Sequence, residues 1–101
     1  MRVEVYKGGE LAALLVYGSA PVYNGTWGRQ VRRLLDKPRY VRHPWTGEVR
    51  RKPVPDDPEW WLGGIYGAGL AGRGFTLYGP AAPSEVMPAP ASPAGEAREH
   101  P

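Results

Sequence analysis

The sequence RVEVYKGGELAALLVY, residues 2–17, has the alternating apolar pattern of two β-strands joined by a tight turn. Gly8 and Gly9 form the turn, because glycine readily takes the positive φ angles that a two-residue hairpin connection needs. The predicted cross-strand partners are Lys7 with Glu10, Val5 with Ala12, Val3 with Leu14 and Met1 with Val16. Apart from the first pair, these side chains share one wholly apolar face. We expect this face to line the core.

A first helix is predicted over Trp27–Asp36, after a loop or short edge strand at residues 18–25. Thr26 is the expected N-cap. An apolar stripe at positions i, i+4, i+7 and i+8 predicts the buried side of the helix, with residues Trp27, Val31, Leu34 and Leu35. The helix ends before Pro38, since proline disfavours helical geometry in the residue that precedes it.

A second helix is predicted over Pro58–Tyr66. Asp57 is its expected N-cap, a proline occupies the first helical position, and Glu59 complements the helix dipole. The inward side chains are expected to be Trp61, Leu62 and Ile65. Glycines at 63 and 64 disfavour a helix by about 1 kcal/mol each relative to alanine. We infer that they allow close packing on a strand or on Trp27.

The predicted fold class is α+β. A short closing strand at residues 75–78 can pair with the first hairpin, which gives a small antiparallel sheet of three or four strands covered by two short helices. Residues 1–78 form this single domain in our prediction. Residues 79–101 contain six of the twelve prolines and no aromatic residue. This composition predicts a disordered Pro/Ala-rich tail.

A second hairpin is predicted at residues 38–52, PRYVRHPWTGEVRRK, which hold five of the thirteen cations. Its turn is Pro44–Gly47, with proline early and glycine last, as in turns built around type I. This turn places Arg42 opposite Val49. Neither face is apolar enough to be buried, so we expect the basic hairpin to protrude into solvent.

Positive charge is concentrated between Arg29 and Lys52. This segment has nine cations and two acids, a net charge of +7, whereas the other residues have four cations and eight acids, a net charge of −4. Such polarity favours an anionic partner. The predicted contact residues are Arg29, Arg32, Arg33, Arg39, Tyr40, Arg42, Trp45, Arg50, Arg51 and Lys52. Cations can engage phosphates and aromatic rings can stack on bases, although a tryptophan at a turn can equally fold back into the core.

The composition also excludes several classes of protein. The chain has no cysteine, which excludes disulfides and cysteine-based sites and favours a reducing, cytoplasmic location. No apolar run approaches the roughly eighteen residues of a membrane span, and no secretory segment is predicted, so we expect no membrane partner. One asparagine, one glutamine and abundant proline and arginine are typical of thermophile-like composition.

We predict that the protein is not an enzyme and has no metal or cofactor site. Residues 67–72, GAGLAG, match the glycine fingerprint of dinucleotide-binding proteins. Their surroundings leave no room for the strand–helix–strand unit that the fingerprint needs. The acids within 56–59 are explained by helix capping. His43 is expected to be a surface group, or to pair across the strands with Glu48.

Two functions stay open at this point. The first is a small non-enzymatic binding module that contacts DNA or RNA through the basic helix and hairpin. The second is a protein-interaction or assembly subunit, such as an accessory or virion component. Its hairpin would then dock on an acidic surface of a neighbouring subunit, which is another copy of the chain if it forms a homo-oligomer.

Overall fold

The structure is a computed structural model, and it describes residues 1–37 and 39–80. The elements, in chain order, are β1 (Arg2–Lys7), β2 (Glu10–Val16), β3 (Val22–Tyr23), α1 (Gly25–Asp36), β4 (Tyr40–Arg42), β5 (Val49–Arg51), α2 (Pro58–Tyr66), a 3₁₀ turn (Ala71–Arg73) and β6 (Thr76–Tyr78).

Four strands form an antiparallel sheet in the order β3–β2–β1–β6, and β4 pairs with β5 in a separate two-stranded sheet. The N-terminal hairpin therefore occupies the centre of the larger sheet. The predicted closing strand pairs with β1, where Leu77 lies opposite Val5, and the short edge strand expected before α1 is β3. The α+β fold class, with a small antiparallel sheet and two short helices, is confirmed.

The register of the N-terminal hairpin contains a β-bulge that the sequence analysis did not predict. Lys7 lies opposite Glu10 as expected, but the register then shifts by one residue, so that Val5 pairs with Ala13 and Val3 pairs with Leu15. The predicted partners of the two valines are therefore wrong, and so is the pairing of Met1 with Val16. The buried side chains of β1 and β2 are Val3, Val5, Ala12, Ala13 and Leu15.

The extra residue of the bulge is Ala12, and the beginning of α1 packs directly on it. The Ala12 carbonyl accepts a hydrogen bond of 2.8 Å from the backbone N–H of Asn24, and Asn24 Nδ2 donates to the Leu11 carbonyl at 3.3 Å. A Cβ atom on Gly28 would lie 2.8 Å from the Ala12 carbonyl oxygen. Only glycine fits this approach, so the bulge and the start of the helix form one contact.

Helix α1 begins two residues earlier than predicted, and its N-cap is Asn24 rather than Thr26. The Asn24 side chain makes no capping hydrogen bond to the helix, since it is bonded to β2. Val31 and Leu34 are buried as expected. Trp27 was expected on the buried stripe but is 43% exposed, because Gly28 takes the position closest to the sheet.

Helix α2 has the predicted bounds and the predicted N-cap. Asp57 Oδ1 accepts a hydrogen bond from the backbone N–H of Trp60 at 2.9 Å. Leu62 and Ile65 are buried as expected. Trp60 is also buried, with 5% of its surface exposed, whereas Trp61 is only partly buried against the core. The expectation that Trp61 is the inward member of the tryptophan pair was therefore wrong, since Trp60 is the more deeply buried one.

One face of the larger sheet, both helices and the glycine-rich segment before β6 build the core. Leu70, from the GAGLAG segment, is only 1% exposed, and this segment follows a helix rather than a strand. The buried cluster consists of Val3, Val5, Ala12, Ala13, Leu15, Val31, Leu34, Leu62, Ile65, Leu70 and Phe75. Tyr66 and the chain after β6 pack at its margin, where the Tyr66 hydroxyl donates to the Pro80 carbonyl at 2.7 Å.

The prediction of a disordered tail begins at residue 79, and residues 81–101 of that tail lie outside the described part of the chain. Within the described part, no helix is both long enough and apolar enough to cross a membrane.

The basic hairpin has the predicted register, with Tyr40 opposite Arg51, Val41 opposite Arg50 and Arg42 opposite Val49. Its protrusion is not confirmed, because β4 packs against α2. Val41 is 1% exposed, so the expectation that neither face of this hairpin is buried was wrong.

Gly63 explains how the hairpin approaches the helix. A Cβ atom there would collide with the Arg42 carbonyl oxygen and would lie 3.2 Å from Cδ of Pro44. The close packing inferred from the two helix glycines is thus present at the first of them, and the strand it contacts is β4. Because Gly63 has no side chain, the backbone of β4 can lie directly on α2.

Gly63→Ala would place a methyl group between α2 and β4. We expect this overpacking to lower the free energy of unfolding by about 1–3 kcal/mol, although alanine favours the helix by about 1 kcal/mol relative to glycine. In thermal unfolding of a domain this small, each kcal/mol shifts the melting temperature by roughly 4–8 °C. Calorimetry of the purified variant measures this shift.

Gly64→Ala is the matched control on the neighbouring residue. A Cβ atom on Gly64 would meet its nearest neighbour, a guanidinium nitrogen of Arg39, at an ordinary 4.0 Å. We therefore expect the gain in helix propensity to raise stability by up to about 1 kcal/mol. Equal stabilisation by both variants would contradict the close approach of β4 to α2.

Candidate nucleic-acid interface

The ten residues predicted to contact a partner do not form one uniform surface. Alternation along β4 and β5 directs Val41 towards α2, and the neighbouring side chains Tyr40 and Arg42 point the other way. Arg51 lies opposite Tyr40 on that outward face and is exposed. The remaining hairpin cations, Arg39, Arg50 and Lys52, lie on the side of the hairpin that faces the helices.

Arg39 acts as a structural link between three elements. Its Nη1 donates to the carbonyls of Leu34 at 3.0 Å and of Leu35 at 3.1 Å, at the end of α1, and to the Lys37 carbonyl at 3.1 Å. Its Nη2 donates to the Gly64 carbonyl on α2. Burial lowers the pKa of Arg39 from its usual value. The guanidinium therefore joins the hairpin to both helices.

Lys52 supports the same helix end from the other strand of the hairpin. Its Nζ donates to the Leu35 carbonyl at 2.8 Å. Partial burial lowers the pKa of Lys52, and the nearby charge of Arg39 adds to this effect. Cations at a helix C-terminus satisfy its last carbonyls and complement the helix dipole. Two of the predicted contact residues thus stabilise the fold.

Arg50 lies beside a buried ring and an acid. Its Nε is 2.6 Å from Glu48 Oε2, and its guanidinium carbon lies 5.7 Å from the centre of the Trp60 ring. Cation–π contacts of this kind hold the guanidinium against the aromatic face. Because Glu48 offsets the charge of Arg50, this residue adds little net positive charge to the surface.

Three further cations lie on the exposed side of α1, as the helical pattern predicted. Arg29, Arg32 and Arg33 are all exposed. Arg32 Nε lies 3.8 Å from Asp36 Oδ2, four residues along the helix, a pair that contributes little in water. These side chains can reach an external anion without breaking a contact in the core.

His43 lies at the start of the hairpin turn and is 6% exposed. Its Nδ1 accepts hydrogen bonds from the backbone N–H groups of Trp45 at 3.2 Å and of Thr46 at 3.1 Å. Its Nε2 lies 2.9 Å from Glu59 Oε1. The expectation of a surface histidine, or of a pair with Glu48, was therefore wrong. Because α2 covers this face of the hairpin, Glu59 is the acid within its reach.

The turn itself is closely hydrogen-bonded. The backbone N–H of Gly47 donates to the His43 carbonyl at 3.0 Å, and the N–H of His43 donates to the Glu48 carbonyl at 2.7 Å. Gly47 has a φ of +77°, which favours glycine at this position. Trp45 is 47% exposed at the tip, with its ring edge-on to His43 at 6.2 Å between ring centres.

His43 and Glu59, which hold the tip, were not predicted from the sequence to do so. A usable signal was present, because the first position of a type I turn favours side chains that accept hydrogen bonds from the following backbone. Imidazole Nδ1 does this in place of the usual aspartate or asparagine. Glu59 gave no such signal, since its position in the first turn of α2 already explained an acid there.

The acidic residues that precede α2 take part in contacts that stabilise the fold. Asp57 caps α2, and Asp56 Oδ1 accepts a hydrogen bond from the Tyr17 hydroxyl at 3.0 Å. This bond raises the pKa of Tyr17. Within residues 1–37 and 39–80, no group of three or more histidine or acidic side chains is placed to hold a metal ion.

Comparison of the chain with protein-family models, with curated proteins and with solved structures found no match.

Replacing Arg39 or Arg51 tests whether Arg39 stabilises the fold and the exposed Arg51 does not. We expect Arg39→Met to lower the free energy of unfolding by about 1.5–3 kcal/mol, because hydrogen bonds from a charged donor to several carbonyls are lost. Arg51→Met is the control, and an exposed position should change stability by no more than about 0.5 kcal/mol. Urea unfolding followed by tryptophan fluorescence measures both. Similar losses in the two variants would show that Arg39 is not a structural link.

Proposed function

We propose that the protein is a small non-enzymatic module that binds nucleic acid, DNA or RNA, in a cytoplasmic setting. The observation that carries this proposal is the link between α1 and the basic hairpin. Because Arg39 and Lys52 fasten the hairpin to the end of α1, the outward cations lie on two directly linked elements. The contact residues we propose are Arg29, Arg32, Arg33, Tyr40, Arg42, Trp45 and Arg51.

The chemistry of these groups suits a polyphosphate chain. Guanidinium groups donate bidentate hydrogen bonds to phosphate oxygens, and neutralising several phosphates releases condensed counterions, which drives binding. Trp45 adds an aromatic surface at one end of the basic region. In this proposal Arg39, Arg50 and Lys52 keep their internal partners and position the groups that bind.

The double variant Arg33→Gln/Arg51→Gln tests the proposed surface, because it removes one cation from α1 and one from the hairpin. We expect weaker binding to every sequence. The slope of log K against log salt should fall by up to about 1.4 on single strands, since each phosphate contact contributes about 0.7. Fluorescence anisotropy of labelled oligonucleotides at several salt concentrations measures both quantities.

Arg2→Gln/Arg73→Gln is the matched control, since it changes the net charge equally at positions outside residues 29–52. Its affinity and salt slope should stay close to those of the wild-type protein. Equal losses in the two double variants would mean that net charge alone attracts the nucleic acid. Absence of binding even at low salt would remove the proposal.

A second candidate is a protein-assembly subunit, located in the cytoplasm or in a virion. Its supporting observation is the two edge strands of the larger sheet, β3 and β6, which have no further strand beside them in the described part of the chain. Val22 on β3 is 49% exposed and Tyr78 on β6 is 59% exposed. Edge strands with exposed apolar side chains can pair with another chain.

Self-association through these edges predicts an oligomer whose mass depends on concentration. Tyr78→Lys should shift it towards the monomer, because a lysine on an edge strand opposes pairing. Sedimentation velocity over the micromolar range measures this shift, and Val54→Lys, which lies outside the larger sheet, is a control. A monomer at every concentration would exclude assembly through these edges.

A further inference from the structure

We propose that Trp45 is a stacking platform for an unpaired base, and that His43 positions it, so that the preferred ligand is single-stranded nucleic acid. This inference rests on the proposed function and specifies its ligand class. It follows from the exposure of Trp45, the construction of the turn that carries it, and the geometry that stacking requires.

Trp45 differs in its surroundings from the other tryptophans. Trp60 is 5% exposed and lies in the interior. Trp61 contacts Tyr17 edge-on at 5.8 Å. Trp27 is 43% exposed, but its ring packs on Phe75 and lies 4.9 Å from the Lys7 ammonium. Trp45 sits at the tip of a hairpin, edge-on to His43 at 6.2 Å between ring centres, with nearly half of its surface open to a flat ligand.

The turn beneath Trp45 is held by backbone hydrogen bonds, by the Thr46 hydroxyl, which accepts from the Glu48 N–H at 3.2 Å, and by the His43 imidazole. His43 Nδ1 accepts the N–H groups of Trp45 and Thr46, so the imidazole bonds directly to the backbone of the residue it presents. A bonded turn loses little conformational freedom when a ligand binds, and this preorganisation favours affinity. His43 is therefore a positioning residue for the indole.

Two neighbours fix the orientation of His43. Because Nδ1 accepts two hydrogen bonds, the ring proton of the neutral imidazole lies on Nε2, which donates to Glu59 at 2.9 Å. Trp60 packs edge-on against the same ring, with 5.1 Å between ring centres. Residues of α2 thus fix the imidazole, and the imidazole in turn bonds to the backbone of the turn. In this way the buried face of the hairpin supports the exposed tip.

Stacking on an indole requires a base whose face is accessible, and this requirement favours single-stranded nucleic acid. Bases within a duplex are already paired and stacked, so an external indole can reach the face of a base only where the strand is single or a base is extruded. The outward guanidinium of Arg51 lies on the same hairpin and suits the phosphates of such a strand. Single strands with free base faces therefore fit this tip better than a duplex.

Three probes separate stacking from charge: an oligothymidylate, an abasic oligonucleotide of equal length and phosphate number, and a duplex of that length. We expect the wild-type protein to bind the oligothymidylate roughly 5- to 150-fold more tightly than the abasic strand, the range for stacking of one base on an aromatic side chain. Trp45→Leu should bring this ratio close to one, and Trp45→Phe should keep part of it. Trp27→Leu is the control with a comparably exposed tryptophan and should keep the ratio.

Two isosteric changes at His43 test its positioning role. In His43→Asn the amide oxygen lies near the position of Nδ1 and can still accept the backbone N–H groups. In His43→Gln the amide nitrogen lies near the position of Nε2, but no acceptor remains at Nδ1. We expect the oligothymidylate-to-abasic ratio to stay high in the first variant and to fall towards one in the second. A purely structural role would change the melting temperatures of both variants and leave this ratio unchanged.

The outcomes distinguish this inference from the function on which it rests. If the wild-type protein binds the abasic strand as tightly as the oligothymidylate, or binds the duplex most tightly, stacking by Trp45 is excluded and phosphate binding stands. If it binds none of the three probes at low salt, the nucleic-acid function is excluded and this inference with it.

Discussion

The position of the basic hairpin depends on one backbone contact, the approach of β4 to α2 at Gly63. Without a Cβ atom at that residue, the Arg42 carbonyl and the Pro44 ring lie directly on the helix. This contact buries Val41 and His43. It also brings Arg39 within reach of the carbonyls at the end of α1 and on α2. The division of the hairpin cations into linked and outward groups follows from this close approach.

Packing on α2 divides a hairpin of similar cations into two groups with different chemistry. A guanidinium whose Nη1 and Nη2 groups donate to buried carbonyls, as in Arg39, cannot leave them without exposing unpaired buried acceptors. A guanidinium on the opposite face, as in Arg51, exchanges only water for a phosphate. The charge of the segment between residues 29 and 52 therefore overstates the number of groups that an external anion can engage.

Local chemistry predicted those parts of the fold that depend on neighbouring residues in the chain. The Gly8–Gly9 turn, the Asp57 cap and the register of the basic hairpin each follow from a few consecutive residues. The bulge at Ala12 could not be found in this way. A bulge depends on the distant contact with Gly28, and two adjacent alanines satisfy either register equally well. The burial of His43 was missed for the same reason, since it depends on the packing of α2.

The sequence predicted the candidate site as a set of charged residues. Its arrangement at the hairpin tip depends instead on which side chains of the turn are buried. A tryptophan at a hairpin tip either folds into the core or stays outside, and here Pro44 and His43 occupy the inward positions, with Trp60 packed beneath the imidazole. The exposure of Trp45 is therefore a consequence of how the turn packs, and the hydrogen bonds of His43 hold the backbone that carries the indole.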